Sequence, residues 1–185
     1  MNRRYGLIAL MVLAFLVSLM PNLLLCDETL TDQQKKDIVY KKYDDSRKEF
    51  PHVREISPLE AMKEMAQGKI LFVDTRKPAE MEVSMLPGAI TWEESLKNPE
   101  KSKDRRTVVY CTISYRSGKF AQEMANKGIE IFNLRGGLLA WVLEGGKVYN
   151  SKGEETKRIN VYGEKWDYPP AGYESVRLSF FEKYF

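Results

Sequence analysis

Val108-Val109-Tyr110-Cys111-Thr112-Ile113-Ser114-Tyr115-Arg116-Ser117 carries an apolar run into a cysteine, then a short polar loop, an arginine and a helix start. A strand that ends on a thiol and turns at once into a helix builds an anion cradle. Loop amides turn inward, the helix N-terminus adds partial positive charge, and Arg116 adds a full one. A thiol at the base of such a cradle is favoured as its thiolate. Taken alone, Cys111 reads as a buried structural cysteine, but the Cys-x4-Arg-Ser spacing at a strand–helix junction turns the reading toward chemistry. No base adjoins it, because the single histidine, His52, lies far upstream and reads as a surface residue. Activation is therefore electrostatic, which suits a nucleophile that takes up a soft atom without proton abstraction.

Working outward, strand and helix signals alternate. Ser57-Pro58-Leu59-Glu60 supplies an N-cap, a proline at the first helical position and a capping-box glutamate, and Gly68 closes that helix. Ile70-Leu71-Phe72-Val73 is a continuous apolar run ending at Asp74, as in a strand covered on both faces, and Thr107 to Tyr110 is a second. Pro78 through Met81 predicts a short helix and Pro87-Gly88 a turn. Ser117 to Lys127 is helical, with Phe120, Ala121 and Met124 on one face. Ile129 to Leu134 predicts a third strand and Gly137 to Glu144 another helix, stopped by Gly145-Gly146. This order predicts an α/β domain with a mainly parallel sheet flanked by helices.

Four stretches in order carry a family resemblance. They are Asp74-Thr75-Arg76-Lys77-Pro78-Ala79-Glu80, Leu86-Pro87-Gly88-Ala89, Tyr110-Cys111 through Arg116-Ser117, and Leu134-Arg135-Gly136-Gly137-Leu138-Leu139-Ala140-Trp141. Together they resemble the rhodanese pattern across residues 56–146. The resemblance implies a rhodanese-like fold and a cysteine that cycles through a persulfide. It makes Cys111 the sulfur acceptor, lines the substrate pocket with Thr112, Ile113, Ser114, Tyr115 and Arg116, and gives Arg116 the anionic donor to hold. Asp74 and Arg76 match positions that order the strand end, Gly136 and Gly137 the turn before the last helix, and Trp141 the core. Two positions depart from the pattern: Ser84-Met85 stands where a Gly-His pair often precedes the turn, and Ser114 where glycine is frequent. If the second needs a positive φ, serine is strained there.

The remaining segments set the context. Residues 6–20 are apolar and uncharged, with Arg3 and Arg4 before them and Asp27-Glu28 after, an asymmetry that places the following chain outside. Residues 1–26 therefore read as a signal peptide or N-terminal membrane anchor; lipidation at Cys26 is a third form, with Leu25 too large for a good lipobox. The domain is expected to be exported, periplasmic or attached to the outer face of the cytoplasmic membrane through residues 6–26. Residues 27–55 form a charged helical extension, with Thr31 capping a surface helix or linker that Pro51 stops. The tail, residues 147–185, is rich in aromatics such as Tyr149, Tyr162, Trp166, Tyr168, Phe180 and Phe185, and reads as an extension folding back over the core or as an exposed patch for a partner.

Composition narrows the function. The net charge of +3 falls almost to neutral without Arg3 and Arg4, which gives no reason to expect nucleic acid. Two cysteines and one histidine exclude a disulfide scaffold and a Cys/His zinc site, and no cofactor or metal is expected. The leading expectation is an exported sulfurtransferase with a small anionic sulfur donor such as thiosulfate and a thiol or cyanide acceptor. A phosphatase or arsenate reductase on a related cradle is disfavoured, since those loops resemble Cys-x5-Arg and Cys111 to Arg116 has four intervening residues. A non-catalytic rhodanese-like binding or sulfur-carrier module is the remaining alternative.

Overall fold

The computed structural model describes residues 29–179; residues 1–26, which the sequence reads as a signal peptide or membrane anchor, with Cys26 among them, and the last aromatics from Phe180 onward lie outside them. Among the described residues no helix is long and apolar enough to cross a membrane. The first helix, α1 (Asp32–Ser46), starts on a capping box in which Thr31 and Gln34 satisfy each other's amides. The elements that follow are β1 (Arg54–Ile56), α2 (Pro58–Ala66), β2 (Ile70–Asp74), α3 (Pro78–Val83), β3 (Ile90–Thr91), α4 (Trp92–Lys97), β4 (Arg106–Tyr110), α5 (Tyr115–Asn126), β5 (Phe132–Leu134) and α6 (Gly137–Leu143). After α6 come β6 (Val148–Tyr149), β7 (Glu155–Thr156), β8 (Arg158–Asn160) and β9 (Glu174–Val176).

Strands β1 to β5 make one sheet, ordered β1-β5-β4-β2-β3, with every pairing parallel. Both faces are covered, so the central strands read as continuous apolar runs rather than alternating ones. Alternation appears instead in which face each residue serves. Phe72, Val108 and Tyr110 enter one cluster with Ala61, Leu138, Leu139 and Trp141, while Leu71, Val73 and Val109 enter the other with Tyr43, Phe50, Ala121 and Met124. At about 1.5–3 kcal/mol for each fully buried large side chain, these two layers supply the main stabilisation of the sheet.

Three differences from the sequence-based expectation have physical causes. The boundary at residue 55 cuts through β1, a three-residue edge strand whose Arg54 and Glu55 leave no apolar run to read. Helix α1 is a surface helix on one side only: Val39 joins the first cluster and Tyr43 the second, both fully buried. The third predicted strand is shorter than residues 129–134, because Ile129 is 43% exposed and only Phe132–Leu134 pairs in the sheet. The described part of the tail folds back. Val148, Ile159 and Val161 are fully buried in the first cluster, with Trp166, Tyr168 and Tyr173 packed on it.

Candidate active site

Cys111 follows the last residue of β4, and the loop after it leads straight into α5. Its conformation is fixed from below by α6. The amides of Leu138 and Leu139 donate to the carbonyls of Cys111 and Thr112, each at 3.0 Å. This approach is why glycine stands at 137: a Cβ there, where φ is +63°, would lie 2.4 Å from the Cys111 carbonyl oxygen, while one on Gly136 would lie 2.6 Å from the Ala140 Cβ. The Ser114 carbonyl accepts from the Gly118 amide at 3.1 Å and from Asn133 Nδ2 at 3.0 Å. With the carbonyls bound, the amides of Thr112, Ile113, Ser114, Tyr115 and Arg116 donate to no acceptor among the described residues. They supply the donors an anion cradle needs.

Ser114 does adopt the left-handed conformation, with φ +66°. The strain is offset locally, since its buried hydroxyl donates to the Leu134 carbonyl. That bond turns the side chain into the protein, and Ser114 is absent from the walls of the cavity beside the thiol. The other four loop residues expected there, Thr112, Ile113, Tyr115 and Arg116, line it together with Cys111. Thr112 adds a buried hydroxyl with no hydrogen-bond partner among the described residues. The helix after the loop begins at Tyr115, two residues earlier than the Ser117 expected from sequence, because Ser114 makes the turn by itself.

Arg116 has a partner that sequence reasoning did not assign. Its Nη1 and Nη2 each donate to a Glu80 carboxylate oxygen at 2.7 Å, and its guanidinium carbon sits 5.3 Å from the Tyr162 ring centre. Burial works against the Arg116 cation, but hydrogen bonding to Glu80 and Coulombic attraction to Cys111 and Glu80 hold its pKa above the ordinary value. Burial likewise pushes the Glu80 carboxyl up, and the Arg116 hydrogen bonds and charge outweigh it, leaving Glu80 below the usual carboxylate range. Nothing local marks this pair in the sequence, because its members are 36 residues apart.

Asp74 and Arg76 lie beneath the loop, both side chains fully buried. Arg76 Nε and Nη2 donate to Asp74 at 2.9 and 2.7 Å, and Nη2 also reaches the Ser84 carbonyl. Beside them the Tyr110 hydroxyl accepts from the Leu86 amide at 3.1 Å, so strand end and turn are tied together. Burial first, then the Asp74 charge, raises the Tyr110 pKa well above its usual value and keeps the hydroxyl protonated. His52 is exposed and does not line the thiol cavity.

The cavity beside Cys111 has a volume of about 500 Å³. Only part of its wall is the loop: Lys42 and Ser46 come from α1, and Tyr162, Lys165 and Trp166 from the tail. The N-terminal segment also braces the loop. Tyr115 donates to Glu49 at 2.8 Å, Tyr43 accepts from Asn133 at 3.2 Å, and a Cβ on Gly118 would strike the Phe50 ring at 2.6 Å. The wealth of aromatics in the tail was the one signal in the sequence for these walls.

The rhodanese-like domain family matches residues 57–144. A protein named sulfurtransferase from Allochromatium vinosum is 36% identical over 80 residues, covering 41% of this chain and 75% of that protein. An uncharacterized protein of Synechocystis is 34% identical over 90 residues, covering 46% of this chain, which spans 50% of that relative's length. The crystal structure of a thiosulfate sulfurtransferase from Pseudomonas aeruginosa superposes with a TM-score of 0.51 at 22% identity, over 64% of this chain and 24% of that one, a likeness of fold. A parallel sheet in the order β1-β5-β4-β2-β3, a thiol loop clamped by a double-glycine helix start, and a related sulfurtransferase matched over 75% of its length lead to one conclusion: the chain belongs to the rhodanese-like domain family.

Proposed function

We infer that the protein is an exported sulfurtransferase in which Cys111 takes up sulfane sulfur as a persulfide and hands it to a nucleophilic acceptor. The observation that carries this reading is the placement of the buried Cys111 on the wall of a cavity of about 500 Å³, within a loop whose five amides have no acceptor among the described residues. With thiosulfate, the Cys111 thiolate attacks the outer sulfur, a new S–S bond forms, and sulfite leaves with the electron pair of the old one. A thiol or cyanide then attacks the outer sulfur of the persulfide, and the Cys111 thiolate is regenerated. Loop amides and the α5 N-terminus stabilise the anions in both steps, while the Arg116–Glu80 pair sets the charge of the wall beside them. Export rests on Arg3, Arg4 and the apolar residues 6–20, and a C-terminal reporter active only outside the cytoplasm tests it.

Mass spectrometry after thiosulfate treatment should find Cys111 heavier by one sulfur atom. Cys111→Ser should abolish cyanide-dependent turnover with an unchanged circular dichroism spectrum, and undiminished turnover in that variant would overturn the assignment. The carrier-module alternative draws on one observation, the engagement of both Arg116 Nη atoms by Glu80. A persulfide that forms but is not released to cyanide would favour it.

A further inference from the structure

The cations that face this cavity differ in how they are balanced. Arg116 is neutralised by a bidentate carboxylate. Lys42 and Lys165, which line the same cavity, pair with no carboxylate among the described residues. Both are instead held on one indole: Lys42 Nζ and Lys165 Nζ each lie 4.9 Å from the Trp166 ring centre, and Lys42 is also 5.7 Å from that of Tyr168. An ammonium on a ring face is attracted by the ring quadrupole but keeps its full charge for a ligand. The two lysines come from α1 and from the tail, outside the residues 57–144 that the family match covers. Around them the lining is largely apolar, from Ile113, Tyr115, Tyr162 and Trp166.

We propose that Lys42 and Lys165, mounted on Trp166, form a carboxylate-binding site that selects an organic, carboxylate-bearing sulfur compound for Cys111. The proposal rests on the sulfur-transfer reading and names its substrate class. A cavity of about 500 Å³ lies within the range of small-molecule pockets, roughly 300–1,000 Å³, and far exceeds what one inorganic oxyanion fills. Its apolar walls suit a carbon chain, and its two unbalanced cations suit carboxylate at the end of that chain. For a persulfide R–S–SH whose R group carries a carboxylate, the Cys111 thiolate attacks the terminal sulfur. A bond forms between Cys111 Sγ and that terminal sulfur, the S–S bond of the donor breaks, and R–S⁻ leaves with its electron pair while the proton stays on the transferred sulfur. The carboxylate stays on the lysines through the step, so the leaving thiolate does not need Arg116 as its anchor.

The test separates binding from chemistry. In the full chain carrying Cys111→Ser, tryptophan fluorescence is titrated with 3-(methylthio)propionate, an unreactive thioether, and with its neutral amide. The carboxylate should bind about tenfold more tightly than the amide, a difference equal to roughly 1.4 kcal/mol. In Lys42→Gln/Lys165→Gln the two should bind within about twofold of each other, and Lys42→Arg/Lys165→Arg should restore the preference, since it keeps both charges on the ring. Equal binding of carboxylate and amide to the parent protein would overturn the proposal, as would a preference that survives the glutamine pair. Neither result depends on transfer, whose failure shows separately as an unmodified Cys111 in the mass spectrum of the parent chain.

Discussion

Two arginine–carboxylate pairs lie side by side under and beside the thiol loop, and they serve opposite ends. In Asp74–Arg76 both side chains are 0% exposed, and the guanidinium also binds a backbone carbonyl next to the Tyr110 ring. In Glu80–Arg116 the carboxylate is 4% exposed but the arginine 34%, and the arginine lines the cavity. The chemistry of the two contacts is the same; the difference is access to solvent and substrate. A pair with no access acts on the fold, because breaking it strands a charge where nothing else can compensate it. A pair with one open partner acts on the electrostatics of the pocket, where the fold tolerates its loss and an anion senses it.

The comparison breaks most sharply at Asp74. Asp74→Ala leaves the Arg76 cation buried with the Ser84 carbonyl as the one hydrogen-bond acceptor of its side chain among the described residues, and the loss of one partner from a buried pair costs about 3–5 kcal/mol. Against a total stability of about 5–15 kcal/mol this is a large fraction, and urea denaturation should show it as a lower midpoint. A loss below about 1 kcal/mol would mean that Arg76 repairs its contacts, and that the two pairs are not different in kind.

The next largest effect belongs to Arg116, and its sign depends on Glu80. Arg116→Ala uncovers a carboxylate at the cavity wall, and kcat/KM for thiosulfate should fall by about 10- to 100-fold, a change of roughly 1.4–2.8 kcal/mol. If the arginine acts mainly by neutralising Glu80, then adding Glu80→Gln should restore most of that loss. Such non-additivity is what a double-mutant cycle reads between contacting groups. A double variant no better than Arg116→Ala would show instead that Arg116 holds the donor itself.

Glu80→Gln alone sharpens the same point with a smaller effect of opposite sign. It frees the Arg116 fork toward the cavity, and KM for thiosulfate should drop by about three- to tenfold, the size expected for one charge removed at about 4 Å where water at the open arginine screens most of the interaction to about 1 kcal/mol. The variant also has a pH signature. Glu80 is held below the ordinary carboxylate range, so its contribution to stability is present above the unfolded-state value of about 4.3 and is lost as pH falls through the lower folded-state value. Glutamine lacks that loss. The stability gap between parent and Glu80→Gln should be constant near neutrality and narrow on acidification below that range; a gap independent of pH would remove Glu80 from the electrostatics of the site.

How much of this was legible follows from sequence distance. Asp74 and Arg76 are two residues apart at a strand end, and their supporting role could be read from the motif that contains them. The parallel sheet was legible because Ile70–Asp74 and Arg106–Tyr110 are apolar runs bounded by turn signals. Glu80 and Arg116 meet only because β2 and β4 are neighbours in the sheet, and no local pattern encodes that contact. The cavity walls were least legible of all. Lys42 and Lys165 lie 123 residues apart in flanking segments, and a lysine's sequence context does not say which ring it will sit on. Strand β1 was hidden for a different reason: its pairing partner β5, rather than its own side chains, makes it a strand.

The smallest effect is at Ser114, which aims the loop that delivers Arg116 to Glu80. Its φ of +66° disfavours an L-residue by about 1–2 kcal/mol, while its hydroxyl bond to the Leu134 carbonyl returns about 1 kcal/mol. Ser114→Ala removes the bond and keeps the strain, so it should destabilise by about 1–2 kcal/mol. Ser114→Gly also removes the bond but relieves the strain, at a cost of about 0.5–1 kcal/mol in unfolded-chain entropy. The glycine variant should therefore be the milder of the two, within about 1 kcal/mol of the parent in urea melts, and its kcat/KM should be close to the parent value because the backbone path to Arg116 is unchanged. The comparison of the two ion pairs gives that result its meaning. If the loop is held by its carbonyl contacts to Leu138, Leu139 and Gly118, then losing one hydroxyl leaves the Arg116–Glu80 geometry in place. An order reversed, with alanine tolerated better than glycine, would show that Ser114 is not strained in solution, and that the turn delivering Arg116 is set by something other than its left-handed conformation.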